Sequence, residues 1–276
     1  MIAGFEERFA EVKGARLRYF VGGQARGKPI VLVHGLGGAA ANWVEVAPRL
    51  AERARVLVPE LPGHGRSSAL AAVPNLAVFA DRVALVAERE EMLPAAVAGH
   101  SLGGVVALRL ALRRPEDVTA LALLAGAGIS STTRRARYGL RILGIIGPRR
   151  LVAPWADKVA DSALLRYVVF GRWGASDPLI MSRAAVDGFL EGTRLTTDSP
   201  GAARALVADD VRRDVGEIAC PVLVLWGARD NQLPLADAFD FARRLRAELR
   251  VIADCGHLLI GERPDLCAEA IDDFLG

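Results

Sequence analysis

Lysine is scarce in this chain of 276 residues. Lys13, Lys28 and Lys158 are the whole supply, which leaves 32 of the 35 basic residues as arginine. That bias fits GC-rich coding, since arginine in place of lysine is no dependable sign of heat adaptation. An excess of one charge sign is missing too. Net charge is +3 and acidic residues are interspersed with basic ones, so nothing marks a nucleic-acid-binding face. Cysteine is limited to Cys220, Cys255 and Cys267, an odd set without metal-like spacing. Idle thiols are expected, and no oxidising compartment is required. No uncharged apolar run is long enough to span a bilayer. Met1 to Arg18 carries Glu6, Glu7, Arg8, Glu11, Lys13, Arg16 and Arg18, and no apolar stretch precedes a cleavage site. The expectation is a cytoplasmic protein with no membrane and no nucleic-acid partner.

Hydrophobic residues make up 52% of the chain and charged residues 24%, an ordinary globular balance with material for a sizeable core. The length suits one large domain, or one domain carrying an insertion. Phe5 to Val12 and Arg16 to Val21 alternate around Gly14 and predict an antiparallel opening pair. Pro29 to Val33 is a short apolar run. Arg55 to Pro59, Ala95 to Ala98, Ala120 to Leu124, Pro221 to Trp226 and Leu249 to Ile252 resemble it. Such runs suit strands covered on both faces, as in a parallel sheet. Helical patterns lie between them. Over Asn75 to Met92, Leu76, Phe79, Val83 and Val86 form one stripe. Leu235 to Leu245 and Asp265 to Leu275 predict further helices. Strand and helix in alternation mean an α/β fold.

One interval breaks the rhythm. Between Gly128 and Pro221 only helical patterns occur: Arg134 to Ile146, Arg149 to Lys158, Ser162 to Phe170 and Met181 to Leu190. The first is apolar nearly all round and should be covered on several sides. Residues 129–205 are expected to form a helical cap over the sheet's C-terminal edge, where ligands bind in open α/β sheets. Residues 1–128 and 206–276 then make the core domain.

Gly99-His100-Ser101-Leu102-Gly103 carries the chemistry. The apolar stretch Pro94 to Ala98 leads in, and a helical pattern from Val105 to Leu112 leads out. A serine hydroxyl is a poor nucleophile unless a base reaches it and developing charge is stabilised. A sharp strand-to-helix turn projects Ser101 and places a helix N-terminus beneath it. Four histidines permit elimination. His100 adjoins Ser101 and should point away; His34 ends an early strand; His64 sits in a turn-rich loop. His257, just after the last strand, has position and reach. Asp230 ends the turn after Val222 to Trp226 and is preferred over Asp254, whose nearness in sequence gives a poor line to the imidazole. His34-Gly35-Leu36-Gly37-Gly38 follows a strand, and the backbone N–H groups of Leu36 and Leu102 are the expected oxyanion donors. A phosphate-binding reading of that glycine loop fails, because neither a Gly-Lys-Ser/Thr ending nor a full Gly-x-Gly-x-x-Gly is present.

The order Ser101, Asp230, His257, with His34-Gly35 upstream, resembles the α/β-hydrolase superfamily. The resemblance covers nearly the whole chain and includes Glu60-Leu61-Pro62-Gly63-His64-Gly65-Arg66-Ser67-Ser68, although Glu60 stands where an aspartate is commoner, and Asn42-Trp43. It implies an eight-stranded, mostly parallel sheet with helices on both faces. Serine at the turn disfavours the haloalkane dehalogenases and epoxide hydrolases of the same superfamily. The expected chemistry is acyl transfer to water, with neither cofactor nor metal. Trp155, Phe170, Trp173 and Phe189 of the cap suggest an apolar substrate, and a carboxylesterase acting on small-molecule esters is the first expectation. Lactones and dienoate-type ketones are the competing substrates, the latter by carbon–carbon bond hydrolysis with a cap arginine on a substrate carboxylate; Arg172 is the candidate, although a solvated surface arginine is the first expectation there. A non-catalytic binding module is the competing class. A homodimer is the assembly kept open.

Overall fold

The computed structural model describes residues 1–72, 74–130 and 152–276. The alternating segments around Gly14 fold back on one another as an antiparallel hairpin of β1 (Phe5–Val12) and β2 (Ala15–Gly23). The short apolar runs become β3 (Pro29–Val33), β4 (Arg55–Pro59), β5 (Ala95–His100), β6 (Val118–Leu124), β7 (Val222–Gly227) and β8 (Glu248–Ile252). All join one eight-stranded sheet of order β1-β2-β4-β3-β5-β6-β7-β8, parallel from β4 onward. β5 and β7 are buried end to end, as strands covered on both faces must be. β8 departs from that expectation. It closes one edge of the sheet, and its Glu248 and Val251 are exposed.

Three helices lie before the interruption: α1 (Ala47–Leu50), α2 (Leu76–Arg89) and α3 (Leu102–Arg113). Asn75 starts α2 as its cap, its side chain accepting from the Ala77 N–H at 2.8 Å. Leu76, Phe79, Val83 and Val86 face the core as their spacing predicts. The helix ends short of Met92, because Glu91 takes a left-handed φ of 53°.

Between β6 and β7 the described residues form helices and no strand: α4 (Ala156–Asp161), α5 (Ala163–Trp173), α6 (Arg183–Leu195) and α7 (Ser199–Ala208). The helix expected over 134–146 lies outside the described residues, and the one over 149–158 is described from residue 152 onward. α7 has no counterpart in the sequence reading. Asp198 caps it, accepting from the Gly201 N–H at 2.9 Å, and the helix runs past residue 205. After β7 come α8 (Leu235–Leu245), α9 (Leu259–Glu262) and α10 (Pro264–Leu275).

α6 is tied to the sheet. α6 lies across the loop after β3: Asn42 Nδ2 donates to the Gly188 carbonyl at 3.2 Å, and Thr196 Oγ1 to the Gly38 carbonyl at 3.3 Å. An ionic link adds to this. The buried guanidinium of Arg18 on β2 donates to Glu7 (2.8 Å), to Glu60 after β4 (3.2 Å) and to Glu191 of α6 (2.8 Å). A buried arginine needs such partners, since an unpaired charge away from water is very costly.

Candidate active site

Ser101 sits between β5 and α3 with φ 54° and ψ −116°. Such a backbone costs of order 1–3 kcal/mol and persists only where its surroundings enforce it. Here they do. The Ser101 N–H donates to the Leu124 carbonyl, and the Ser101 carbonyl accepts from the N–H groups of Gly104 and Ala127, each at 3.0 Å. The flanking glycines answer to space. A Cβ on Gly99 would lie 2.2 Å from the Gly103 carbonyl oxygen, and one on Gly103 would lie 2.2 Å from that of Val33.

The structure brings the three residues read from the sequence into one line. His257 Nε2 lies 3.1 Å from Ser101 Oγ, and His257 Nδ1 lies 2.8 Å from Asp230 Oδ2. The other oxygen of Asp230, Oδ1, accepts the backbone N–H groups of Gln232 and Leu233, both at 2.8 Å. Those amides fix the carboxylate, whose side chain is fully buried. Oδ2 is thereby left to face the imidazole. Nδ1 carries the proton it shares with the carboxylate, and Nε2 is the acceptor turned to Ser101. Asp254 does not compete. It pairs with Arg229 at 2.7 Å on the exposed surface.

The glycine loop after β3 lies against this line. A Cβ on Gly35 would meet Ser101 Cβ at 3.2 Å, so Leu36 follows directly from the point of contact. Leu102 is the first residue of α3, where a helix leaves its N–H groups unspent on its own carbonyls. His34 stabilises the loop from below. Its Nε2 accepts the Leu61 N–H at 3.0 Å, so Nδ1 must carry the hydrogen given to the Gly35 carbonyl at 2.8 Å. Full burial lowers the His34 pKa to about 3 and keeps the ring neutral.

Of the four aromatic residues expected around a substrate, three come together. Phe170 is buried, with its ring 5.2 Å from Trp173 and 6.4 Å from Phe189. Trp173 precedes Gly174, which touches His257, and Phe189 reaches Gly261 of α9. Trp155 stands apart. It is 55% exposed, with the Lys158 ammonium 4.5 Å above its ring. Arg172 is exposed.

Two contributors have no mark in the sequence. His100 Nε2 donates to the His257 carbonyl at 2.8 Å. Glu262 is buried and accepts the backbone N–H of Gly256 in the His257 loop and those of Ser176 and Asp177 in the segment after α5. A tertiary contact decides each role, and no spacing announces it. Burial pushes all three cysteine thiols up, away from the reactive thiolate. Among the described residues, no group of His, Cys, Asp and Glu is arranged to hold a metal ion. Nor is any helix among them long and apolar enough to cross a membrane.

A mostly parallel sheet with a strained serine turn at its middle, and a histidine and a buried carboxylate delivered from its later strands, defines a hydrolase-type α/β protein. The chain belongs to the alpha/beta hydrolase family, whose model matches residues 30–270. It is 33% identical over 263 residues to a pimeloyl-[acyl-carrier protein] methyl ester esterase of Aromatoleum aromaticum, covering 89% of this chain and 97% of that one. It is 31% identical over 283 residues to the 2-hydroxymuconate semialdehyde hydrolase of Pseudomonas sp. strain CF600, covering 96% and 93%. A solved hydrolase from Pseudomonas aeruginosa PA01 superposes with a TM-score of 0.77 at 26% identity, covering 99% of each chain.

Proposed function

We propose that this protein is a serine hydrolase that cleaves carboxylic esters of small to medium, largely apolar substrates through an acyl-enzyme intermediate. The observation that carries the reading is the unbroken line Ser101 Oγ, His257 Nε2, His257 Nδ1, Asp230 Oδ2 at 3.1 and 2.8 Å. In this reading His257 takes the Ser101 proton as the hydroxyl attacks the ester carbonyl. Asp230 holds the tautomer that permits this and stabilises the imidazolium that forms. The oxyanion is received by the Leu36 and Leu102 N–H groups, each worth on the order of 10²–10³ in rate at such sites. His257 then returns the proton to the leaving alcohol. Water, activated by the same imidazole, clears the acyl group from Ser101. Residues 129–205 serve as a cap whose Phe170, Trp173 and Phe189 supply the apolar wall.

The relatives support two chemistries on this scaffold, since one is an esterase and the other a semialdehyde hydrolase. Arg172, the candidate for holding a dienoate's carboxylate in carbon–carbon cleavage, is exposed, and this favours the ester. Lactones present the same carbonyl and fall within the proposal. The test is a panel of p-nitrophenyl esters of increasing chain length, with a ring-cleavage dienoate alongside. Turnover of the esters is expected, with Ser101→Ala lowering kcat by about 10³ or more while the fold is kept. Equal turnover by that variant, or preference for the dienoate, overturns the reading. A fluorophosphonate probe that leaves folded protein unlabelled at Ser101 would point instead to a binding module.

A further inference from the structure

His257 sits on the loop between β8 and α9, which must hold the imidazole to within a fraction of an ångström to keep both of its hydrogen bonds. Beside this loop runs the segment that follows α5. The two backbones touch: a Cβ on Gly256 would lie 2.1 Å from the Gly174 carbonyl oxygen and 2.6 Å from the Ser176 nitrogen. One side chain spans the contact. Glu262 Oε1 accepts the Gly256 N–H at 3.1 Å, and Oε2 accepts the N–H groups of Ser176 at 2.7 Å and Asp177 at 3.1 Å. The residue is 3% exposed, so water is not at hand to replace a lost acceptor. Burial raises its pKa, against the three amide donors that favour the charged form.

From this geometry we propose that Glu262 is a positioning residue for His257: its carboxylate clamps the histidine loop to residues 174–177 of the insertion and so sets the imidazole on the Ser101–Asp230 line. The proposal rests on the hydrolase reading above. Both carboxylate oxygens are spent on N–H groups, so an amide cannot take over the work. In Glu262→Gln the new NH₂ must face an amide donor on one side of the clamp or the other. The loop can then shift while the substrate pocket stays in place. A misplacement of about 1 Å in a reacting group can cost 10²-fold in rate.

The experiment uses the full chain and p-nitrophenyl butyrate, with Ser101→Ala in parallel and folding checked by circular dichroism and Tm. E262Q is expected to lower kcat at least tenfold with KM within twofold of wild type, and to slow fluorophosphonate labelling of Ser101 in the same proportion. Glu262→Asp, which keeps two acceptor oxygens on a shorter arm, is expected to fall between the two. Wild-type kcat in folded E262Q overturns the clamp, as does a lowered Tm with kcat and labelling unchanged. Should E262Q not fold, E262D decides by the same measure, with unchanged kcat overturning the proposal. Turnover surviving in Ser101→Ala would instead sink the hydrolase reading, whatever Glu262 does.

Discussion

The backbone N–H of His257 donates to the carbonyl of Gly174 across 2.6 Å. A residue at the end of an inserted helix thus holds the backbone of the imidazole that faces Ser101. Gly174 has φ 113°, a conformation open to glycine and strained for other residues. A Cβ there would lie 2.6 Å from His257 Cβ and 2.9 Å from Gln232 Cγ. Gly174→Ala must therefore displace the histidine or the helix end. The expected result is a kcat at least tenfold lower in steady-state ester hydrolysis, with a Tm loss matching the roughly 1–2 kcal/mol of left-handed strain. A variant with wild-type kcat would mean that the close approach has no bearing on catalysis.

Asp230 gives a sharper test, because its two oxygens have different partners. Oδ1 is bound by two backbone amides and Oδ2 by the imidazole. In Asp230→Asn the amide oxygen will stay with the two N–H donors, which leaves the NH₂ turned to His257 Nδ1. That nitrogen must then accept, the ring proton moves to Nε2, and the group facing Ser101 can no longer take a proton. The expected loss in kcat is about 10⁴, with KM little changed. A loss under tenfold would remove Asp230 from the mechanism.

The sheet and its serine turn were legible because they rest on local signals. Alternation fixed the β1–β2 hairpin, unbroken apolar runs fixed the buried strands, and a strand followed by Gly-x-Ser-x-Gly and a helix fixed the turn. His257 and Asp230 followed from position after the last two strands. β8 is less buried than its apolar run predicts, because such a run does not tell an edge from a centre; Arg250 in its middle is the local sign of the edge. α7 has a start signal in Asp198-Ser199-Pro200, but the Gly201-Ala202-Ala203 run after it has too little periodicity to predict a helix. Glu262, His100 and Arg18 were beyond reach for another reason. A carboxylate that binds three amides has the same letter as one in water, and the partners of Arg18 lie 11, 42 and 173 residues away.

Glu60 carries a pH-dependent prediction. It is fully buried, bound to Arg18 and to the N–H groups of Ala40 and Arg66. Burial outweighs these partners and raises its pKa from 4.5 to about 7. The sign follows from proton counting. Between pH 4.5 and 7 the unfolded chain has shed this proton while the folded chain still holds it, so raising the pH through this window favours unfolding. The stability contributed by the raised carboxyl is full below pH 4.5 and gone above pH 7, a change of up to about 3 kcal/mol. Glu60→Gln cannot titrate, and its misfit amide adds a constant offset. Denaturant unfolding of both proteins from pH 4 to 8 should show wild-type stability falling relative to the variant as the pH rises, with the steepest change between 5 and 7. A difference that stays flat over that range would mean that Glu60 is ionised throughout, held so by Arg18 in spite of its burial.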